Sequence, residues 1–258
     1  AATGATGVHV FDTVGWDLEF SETIAWDTVF SESDPAYGRI YAAAVFSPDG
    51  RLLVTQSSSY GQDMATRATA IWELESGELL NEFFVYPTVG NGAVSFSPDG
   101  RLLVTASGEG RPQIFEPYTG RQLGVLRGPS STAYDVTYSP DGSRIATAEA
   151  DGTVRVWDVN NEEELFVLRH EYWVLGAAWD NDESRILSWT GDIGGSSSGM
   201  ARIWNIANMP EMITLRHGSP IRHAAWNATE SRIMARFWDY EAKAGMIQIW
   251  DVGSGIPL

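Results

Sequence analysis

The side chains that most often do chemistry are few or scattered in this sequence. It has no cysteine and four histidines, of which His217 and His223 stand six positions apart around a proline, a weak pattern for a metal site. It contains no Gly-x-Ser-x-Gly nucleophile turn, no Gly-Lys-Ser/Thr phosphate loop and no His-Glu-x-x-His motif. Among 34 acidic residues, a pair suited to glycosidic chemistry arises easily by chance. We therefore predict no catalytic residue, no metal and no cofactor.

The most regular feature is a turn repeated between two apolar segments. Residues 46–55 read Phe-Ser-Pro-Asp-Gly-Arg-Leu-Leu-Val-Thr and return letter for letter at 96–105. Three less regular copies begin at Tyr138, Trp179 and Trp226. Proline fixes φ at the second turn position and glycine takes the positive-φ position, so each copy predicts a β-hairpin. Because one hairpin cannot bury its own faces, the five must stack together.

A second landmark follows each hairpin. It is an aromatic residue in Ile/Val-Trp-Asp or a close variant, at positions 72, 115, 157, 204 and 250. Successive landmarks are 43, 42, 47 and 46 residues apart, which is a repeat period typical of propeller blades. A turn and a short apolar run come after each landmark. Every unit therefore contains four predicted strands.

These features resemble the Trp-Asp (WD) repeat family of β-propellers. The resemblance rests on the aromatic-acidic dipeptide, the Ser-Pro-Asp-Gly hairpin and the period, and it covers residues 38–251. It implies one all-β domain over residues 1–258, with four-stranded antiparallel blades around a channel. Five repeats are clear, and a degenerate sixth blade is predicted from residues 8–26 with 256–258 as its fourth strand. The alternative is a partial ring of a seven-bladed propeller.

The resemblance also implies a structural tetrad. In the family, a His, a Ser or Thr, an Asp and the Trp form a hydrogen-bonded chain inside a blade. One unit keeps all four members: His170, Ser188, Asp192 and Trp204. The unit before it has Pro129 at the His position. We predict that these residues are structural. Burying one Trp side chain stabilises the fold by more free energy than a single hydrogen bond contributes net, so the aromatic landmarks should hold the blades together even where the tetrad is incomplete.

The best binding candidates fall on one rim of the implied propeller. They are large aromatic, Arg and His side chains near the loops that lead into the hairpins or follow their second strands: Tyr134, Tyr172, Trp173, Trp189, Arg222, His223 and Trp238. Loops on a rigid scaffold often carry binding sites, and these residue types anchor interfaces. For Trp189 and Trp238, packing between blades is an equally good interpretation.

Three arginines recur at one position of successive units, just before those loops. They are Arg127, Arg169 and Arg216. Recurrence favours a structural task, such as pairing with acidic groups of the adjacent blade. The alternative is a row of guanidinium groups that face a ligand.

The formal net charge is −17. Such a surface repels nucleic acid and anionic lipid, so neither is a predicted partner. We predict a non-catalytic scaffold or sensor module of bacterial type that presents one rim to a protein or peptide of basic character, within a larger multidomain protein. The alternative is a propeller enzyme, such as a lyase or glycosidase, with acidic residues in the channel. The lack of cysteine suits a cytoplasmic location without excluding secretion.

Overall fold

A computed structural model describes residues 39–59, 66–85, 93–106, 111–129, 131–191, 199–206, 212–239 and 244–258. Within these ranges every regular element is a β-strand, and the strands form five antiparallel sheets. The predicted all-β propeller architecture is confirmed. The predicted degenerate blade at residues 8–26 lies outside the described residues. Nowhere in these ranges is there a helix of the length and hydropathy needed to cross a membrane.

Each sheet is one blade and follows the chain order. Blade 1 contains β1 (Arg39–Phe46), β2 (Leu52–Ser59), β3 (Thr66–Glu73) and β4 (Leu79–Val85). Blade 2 contains β5 (Val94–Phe96), β6 (Leu103–Thr105), β7 (Gln113–Glu116) and β8 (Arg121–Val125). Blade 3 contains β9 (Ala133–Tyr138), β10 (Arg144–Glu149), β11 (Thr153–Asp158) and β12 (Glu164–Arg169). Blade 4 contains β13 (Val174–Trp179), β14 (Arg185–Thr190), β15 (Gly199–Asn205) and β16 (Met212–His217). Blade 5 contains β17 (Ile221–Trp226), β18 (Arg232–Asp239) and β19 (Ala244–Asp251).

The first strand of each blade is the inner one. Strand β9 contacts both β5 and β13, and β13 contacts β17, so the first strands of successive blades lie side by side. Within a blade the second, third and fourth strands follow outward in order. This is the arrangement of propeller blades around an axis.

The strand register defines two rims. Phe96 pairs with Leu103, which pairs with Phe115, so the turns that follow β5 and β7 lie at the same edge of blade 2. We call this edge, with its equivalents in the other blades, the hairpin rim. The opposite edge is the loop rim. It carries the turns between second and third strands and the loops that lead from one blade into the next.

The Ser-Pro-Asp-Gly turn is held by its own side chains. The Ser47 hydroxyl donates to Asp49 Oδ1 at 2.6 Å and accepts the Leu52 N–H at 2.8 Å. Gly50 has a φ of 69°, a conformation that most other residues avoid. Blades 2 and 3 repeat these bonds at the equivalent serines. The motif therefore fixes the end of one strand to the start of the next.

The core lies between blades. Trp157 of blade 3 is fully buried in a cluster with Val104, Ile114 and Leu126 of blade 2. Trp250 of blade 5 is buried with side chains of blade 4 in the same way. Burying an indole contributes about 4–6 kcal/mol gross as an upper bound. In blades 2 to 5 the aromatic landmarks therefore fasten each blade to the preceding one.

Two glutamates form a clasp between blades at the hairpin rim. Glu183 of blade 4 accepts the Asp141 N–H at 2.6 Å and a bond from Arg144 Nη2 at 2.7 Å, both from blade 3. Glu230 of blade 5 repeats the pattern with the Asn181 N–H at 2.6 Å and Arg185 Nη2 at 3.0 Å. Both glutamates have positive φ, 61° and 54°, at the turn position that glycine holds in blades 1 to 3. We call each such unit an inter-blade clasp.

The final segment completes blade 5. Trp250 forms a bridge with Pro257, and the Leu258 N–H donates to the Ile249 carbonyl at 2.9 Å. The prediction that residues 256–258 supply the fourth strand of a sixth blade is therefore wrong. The physical reason is a tight turn after β19, in which the Ser254 N–H and hydroxyl both donate to Asp251, so the chain folds back on its own strand.

Candidate binding rim

The loop from β12 to β13 carries two exposed aromatic side chains. Tyr172 is 50% exposed and Trp173 is 44% exposed. The Trp173 ring lies 6.2 Å from the ring of Tyr134, centroid to centroid, at a tilt of 38°. Tyr134 is buried on β9, the inner strand of blade 3. The indole is therefore supported from one side and open to solvent on the other.

A second group of candidates lies where blades 4 and 5 meet. Arg222 is exposed, and the His223 ring lies 5.4 Å from the Trp189 ring. Burial lowers the pKa of His223, which keeps the imidazole neutral at pH 7. Trp189 is only 5% exposed, and it fills the space above Gly176, where an added Cβ would lie 2.0 Å from the indole. Its surroundings favour packing between blades.

The structure thus groups the candidates in two pairs. Trp173 meets Tyr134 across blades 3 and 4, and Trp189 meets His223 across blades 4 and 5. Tyr172 and Arg222 stand exposed beside them. The Trp238 backbone belongs to β18, but its side chain falls outside the described residues.

The predicted tetrad positions form a hydrogen-bonded chain in blade 4. Trp204 Nε1 donates to Ser188 Oγ at 2.7 Å, and the Ser188 hydroxyl is 2.7 Å from His170 Nε2. Burial, with a smaller effect of the Arg202 charge, lowers the pKa of His170 to about 3. The imidazole is therefore neutral, and its other ring nitrogen is Nδ1. That nitrogen is buried without a partner among the described residues, and Asp192, the predicted fourth member, lies outside them.

Blade 3 replaces the missing histidine with a buried ion cluster that the sequence analysis missed. Thr147 accepts the Trp157 indole N–H at 3.1 Å and donates to Glu149 at 2.9 Å. Glu149 also accepts from Arg155 Nε at 3.1 Å. Burial raises the pKa of Glu149 to about 7. The available signal was an arginine two residues before the landmark Trp, which recurs in blade 4 at Arg202.

The recurrent arginines do not pair as expected. Arg127, Arg169 and Arg216 are exposed, and none forms an ion pair with another described residue. Near Arg169 the acceptors are already occupied, because Arg202 donates to the Arg169 carbonyl at 2.7 Å and to Glu171 at 3.3 Å. The expectation of a structural pairing is wrong for these three side chains. Their guanidinium groups face solvent at the loop rim.

The inner strands offer little for catalysis. Across the described inner strands, the one carboxylate is Asp135. Its oxygens accept the Val136 N–H at 2.9 Å and the Ala177 N–H of blade 4 at 3.1 Å. Burial raises the pKa of Asp135 to about 6. In the described ranges, no group of three or more His, Asp or Glu side chains is arranged to hold a metal ion.

Comparisons with known proteins agree with the fold. A family profile described as "WD domain, G-beta repeat" matches residues 91–115 and 120–158. No curated protein matches the sequence. Among solved structures, the Kuenenia stuttgartiensis hydrazine synthase is similar, with a TM-score of 0.65 and 15% identity over 82% of this chain. The match spans 63% of that neighbour's chain, and at this identity it shows the fold alone.

Proposed function

We propose that this chain, whose residues 91–115 and 120–158 match the WD repeat profile, is a non-catalytic module which binds a protein or peptide at its loop rim. Domains with these repeats generally mediate protein interactions. The fold itself hosts enzymes as well as binding modules, so the argument depends on the rim.

The observation that carries the proposal is the pair of exposed aromatic rings at Tyr172 and Trp173. Two adjacent large rings that stand half in water favour contact with a partner, because burial would remove their apolar surface from solvent. Trp and Tyr are enriched among the residues that dominate binding energy, and one such anchor contributes about 2 kcal/mol or more. Tyr134 behind the indole keeps the ring in place.

The loop that presents these rings is held at several points. The His170 N–H donates to the Gly152 carbonyl at 2.7 Å, and the His170 imidazole bonds with Ser188. Glu171 accepts from Arg202 at 3.3 Å. A loop that is already ordered loses less conformational entropy on binding, which favours affinity. This supports a preformed contact surface.

The non-catalytic part of the proposal is supported by Asp135. Glycoside hydrolysis needs two carboxyl groups on either side of the scissile bond. Both Asp135 oxygens already accept main-chain N–H groups, which suits a role in joining the inner strands. The scaffold or sensor role, the bacterial origin and the cytoplasmic location remain predictions. The basic character of the partner was predicted from the overall charge alone, and the local charges of the described loop rim do not favour it.

The proposal is tested by affinity capture from an extract of the source organism, quantified by mass spectrometry. Wild type is compared with a triple variant, Tyr172→Ala, Trp173→Ala and Arg222→Ala. The matched control is Tyr118→Ala, an aromatic residue 48% exposed in the turn after β7 on the hairpin rim. We expect a partner retained by wild type and control to fall at least tenfold with the triple variant, since the anchor contributes about 2 kcal/mol. Equal retention by all three proteins would refute the proposal.

A further inference from the structure

Among the described residues, the charged side chains are unevenly distributed between the two rims. Several arginines of the described hairpin rim have acidic neighbours: Arg51 and Arg101 each lie 3.8 Å from the aspartate of their own turn. Arg144 and Arg185 belong to the inter-blade clasps. Around them stand exposed carboxylates of the same rim, such as Glu75, Glu78, Glu163 and Asp182. The hairpin rim is therefore the acidic one.

The described part of the loop rim has the opposite character. It carries exposed arginines with no ion pair to any described residue: Arg111, Arg127, Arg169, Arg216 and Arg222. Arg127 lies two residues after β8, Arg169 ends β12 and Arg216 is the next-to-last residue of β16, so they recur along the outer strands of three successive blades.

The carboxylates that the structure describes at the loop rim are already paired, and with other arginines. Glu149 and Asp151 lie 3.1 Å and 2.8 Å from nitrogens of Arg155, whose side chain is 6% exposed. Glu171 lies 3.3 Å from Arg202, whose side chain is 9% exposed. Two buried arginines thus pair with the described carboxylates of this rim. The exposed arginines keep their positive charge available to a partner.

We infer that the partner segment bound at the loop rim is an acidic stretch of protein with an apolar anchor residue. This rests on the proposed function and names its partner class. The carboxylates face Arg127, Arg169 and Arg216, because a guanidinium group binds a carboxylate through two parallel hydrogen bonds. The apolar residue packs on Trp173, four residues after Arg169 in the same loop region.

Nucleic acid is a poorer match to the same arginines. Its phosphate backbone carries a continuous line of negative charge that would extend past the arginines of the loop rim. A protein with a net charge of −17 repels the phosphates that lie outside this rim. A folded or extended protein segment needs only a few carboxylates, placed where the arginines are. The overall charge that favoured a basic partner in the sequence analysis acts over the whole molecule, whereas contact energies depend on the local groups.

The test measures binding of fluorescein-labelled probes to the full chain by fluorescence anisotropy at low salt. Three pools of short peptides share the same content of Trp and Leu and differ in charge: rich in Asp and Glu, rich in Lys and Arg, or uncharged. A single-stranded DNA oligonucleotide is the fourth probe. We expect the acidic pool to bind most tightly and to weaken as salt is added.

Charge-reversal variants locate the contact. The triple variant Arg127→Glu, Arg169→Glu and Arg216→Glu should weaken the acidic pool by roughly tenfold, as expected for three rim ion pairs. The control makes the same change in charge at the hairpin rim, with Arg51→Glu, Arg101→Glu and Arg121→Glu. This control should leave the acidic pool's affinity unchanged. Circular dichroism checks that both variants are folded.

Each contrary outcome is distinct. Tighter binding of the basic pool or the DNA, or equal weakening by both triple variants, would overturn the inference. If Trp173→Ala abolished binding of the acidic pool while the loop-rim charge reversal had no effect, the inference of an acidic partner would be overturned. The proposed function would still stand. Binding that survives Trp173→Ala unchanged would remove the proposed function itself. A lack of binding by every probe would contradict both.

Discussion

Substitution of Glu183 separates two opposing energies in the inter-blade clasp. Its positive φ of 61° costs a non-glycine residue about 1 kcal/mol relative to glycine. The same conformation lets the carboxylate reach Asp141 and Arg144 of the preceding blade at 2.6 Å and 2.7 Å. The contacts between blades therefore offset the backbone strain at this turn.

The size of the contact term follows from its burial. Hydrogen bonds to charged groups contribute about 1.5–3 kcal/mol each when buried. Here the side chains of Arg144 and Glu183 are 26% and 14% exposed, so solvent screens part of the interaction, and we take about 2 kcal/mol for the whole clasp. Glu183→Ala keeps the strain and loses the clasp, for a net loss of about 2 kcal/mol. Glu183→Gly also relieves the strain, for a net loss of about 1 kcal/mol.

Urea unfolding followed by circular dichroism measures both variants beside Glu163→Ala. Glu163 is an exposed glutamate of the same rim outside the clasp, so its loss should change the unfolding free energy by less than about 0.5 kcal/mol. A double-mutant cycle with Arg144→Ala isolates the pair. Greater stability of Glu183→Gly than of wild type would show that the strain exceeds the clasp. Equal stability of the Ala and Gly variants would refute the assigned strain.

Three further outcomes follow from the described contacts. Ser188→Ala removes the hydroxyl between the buried indole and imidazole of blade 4, and should lower the unfolding free energy by about 1–3 kcal/mol; an unchanged urea midpoint would contradict this. Because the folded-state pKa of Asp135 is raised from 3.8 to about 6, its contribution to stability is fully present below pH 3.8 and is lost as pH rises through 6, by up to about 3 kcal/mol. Asp135→Asn should flatten the stability profile over that window, and an unaltered slope would count against the burial argument. Gly176→Ala would place Cβ 2.0 Å from the Trp189 indole and should destabilise by about 3 kcal/mol or more, whereas Gly245→Ala, with nothing within 4 Å, should not; similar thermal midpoints for the two would refute the packing.

The repeated elements of the fold were predictable because each depends on local chemistry. The Ser-Pro-Asp-Gly turn carries its own serine and aspartate bonds, so it forms the same hairpin wherever it occurs. The landmark Trp positions were equally clear, since a large indole at a fixed period needs a neighbouring sheet to bury it. The Ser188 bonds to Trp204 and His170 follow from the same period.

The contacts between blades were harder to predict. In the sequence, Glu183 and Glu230 stand where the turns of blades 1 to 3 have glycine, so they look like simple divergence of the repeat. No neighbouring residue in the sequence indicates that their carboxylates reach the preceding blade. The last strand was assigned to the wrong blade because the tight turn at Asp251 decides where it returns. Whether the Arg169 side chain forms an ion pair also depends on a residue distant in sequence, because Arg202 already donates to the Arg169 carbonyl and to Glu171.

The most direct test of the binding account is hydrogen–deuterium exchange of the chain with and without its captured partner. The account predicts slower amide exchange on binding at loop-rim residues 126–129, 131–132, 170–173 and 218–222, with the turns of the hairpin rim unchanged. Slowing confined to the hairpin-rim turns at residues 47–51, 97–101 and 139–143 would contradict it, and would move the contact surface to the acidic side of the propeller.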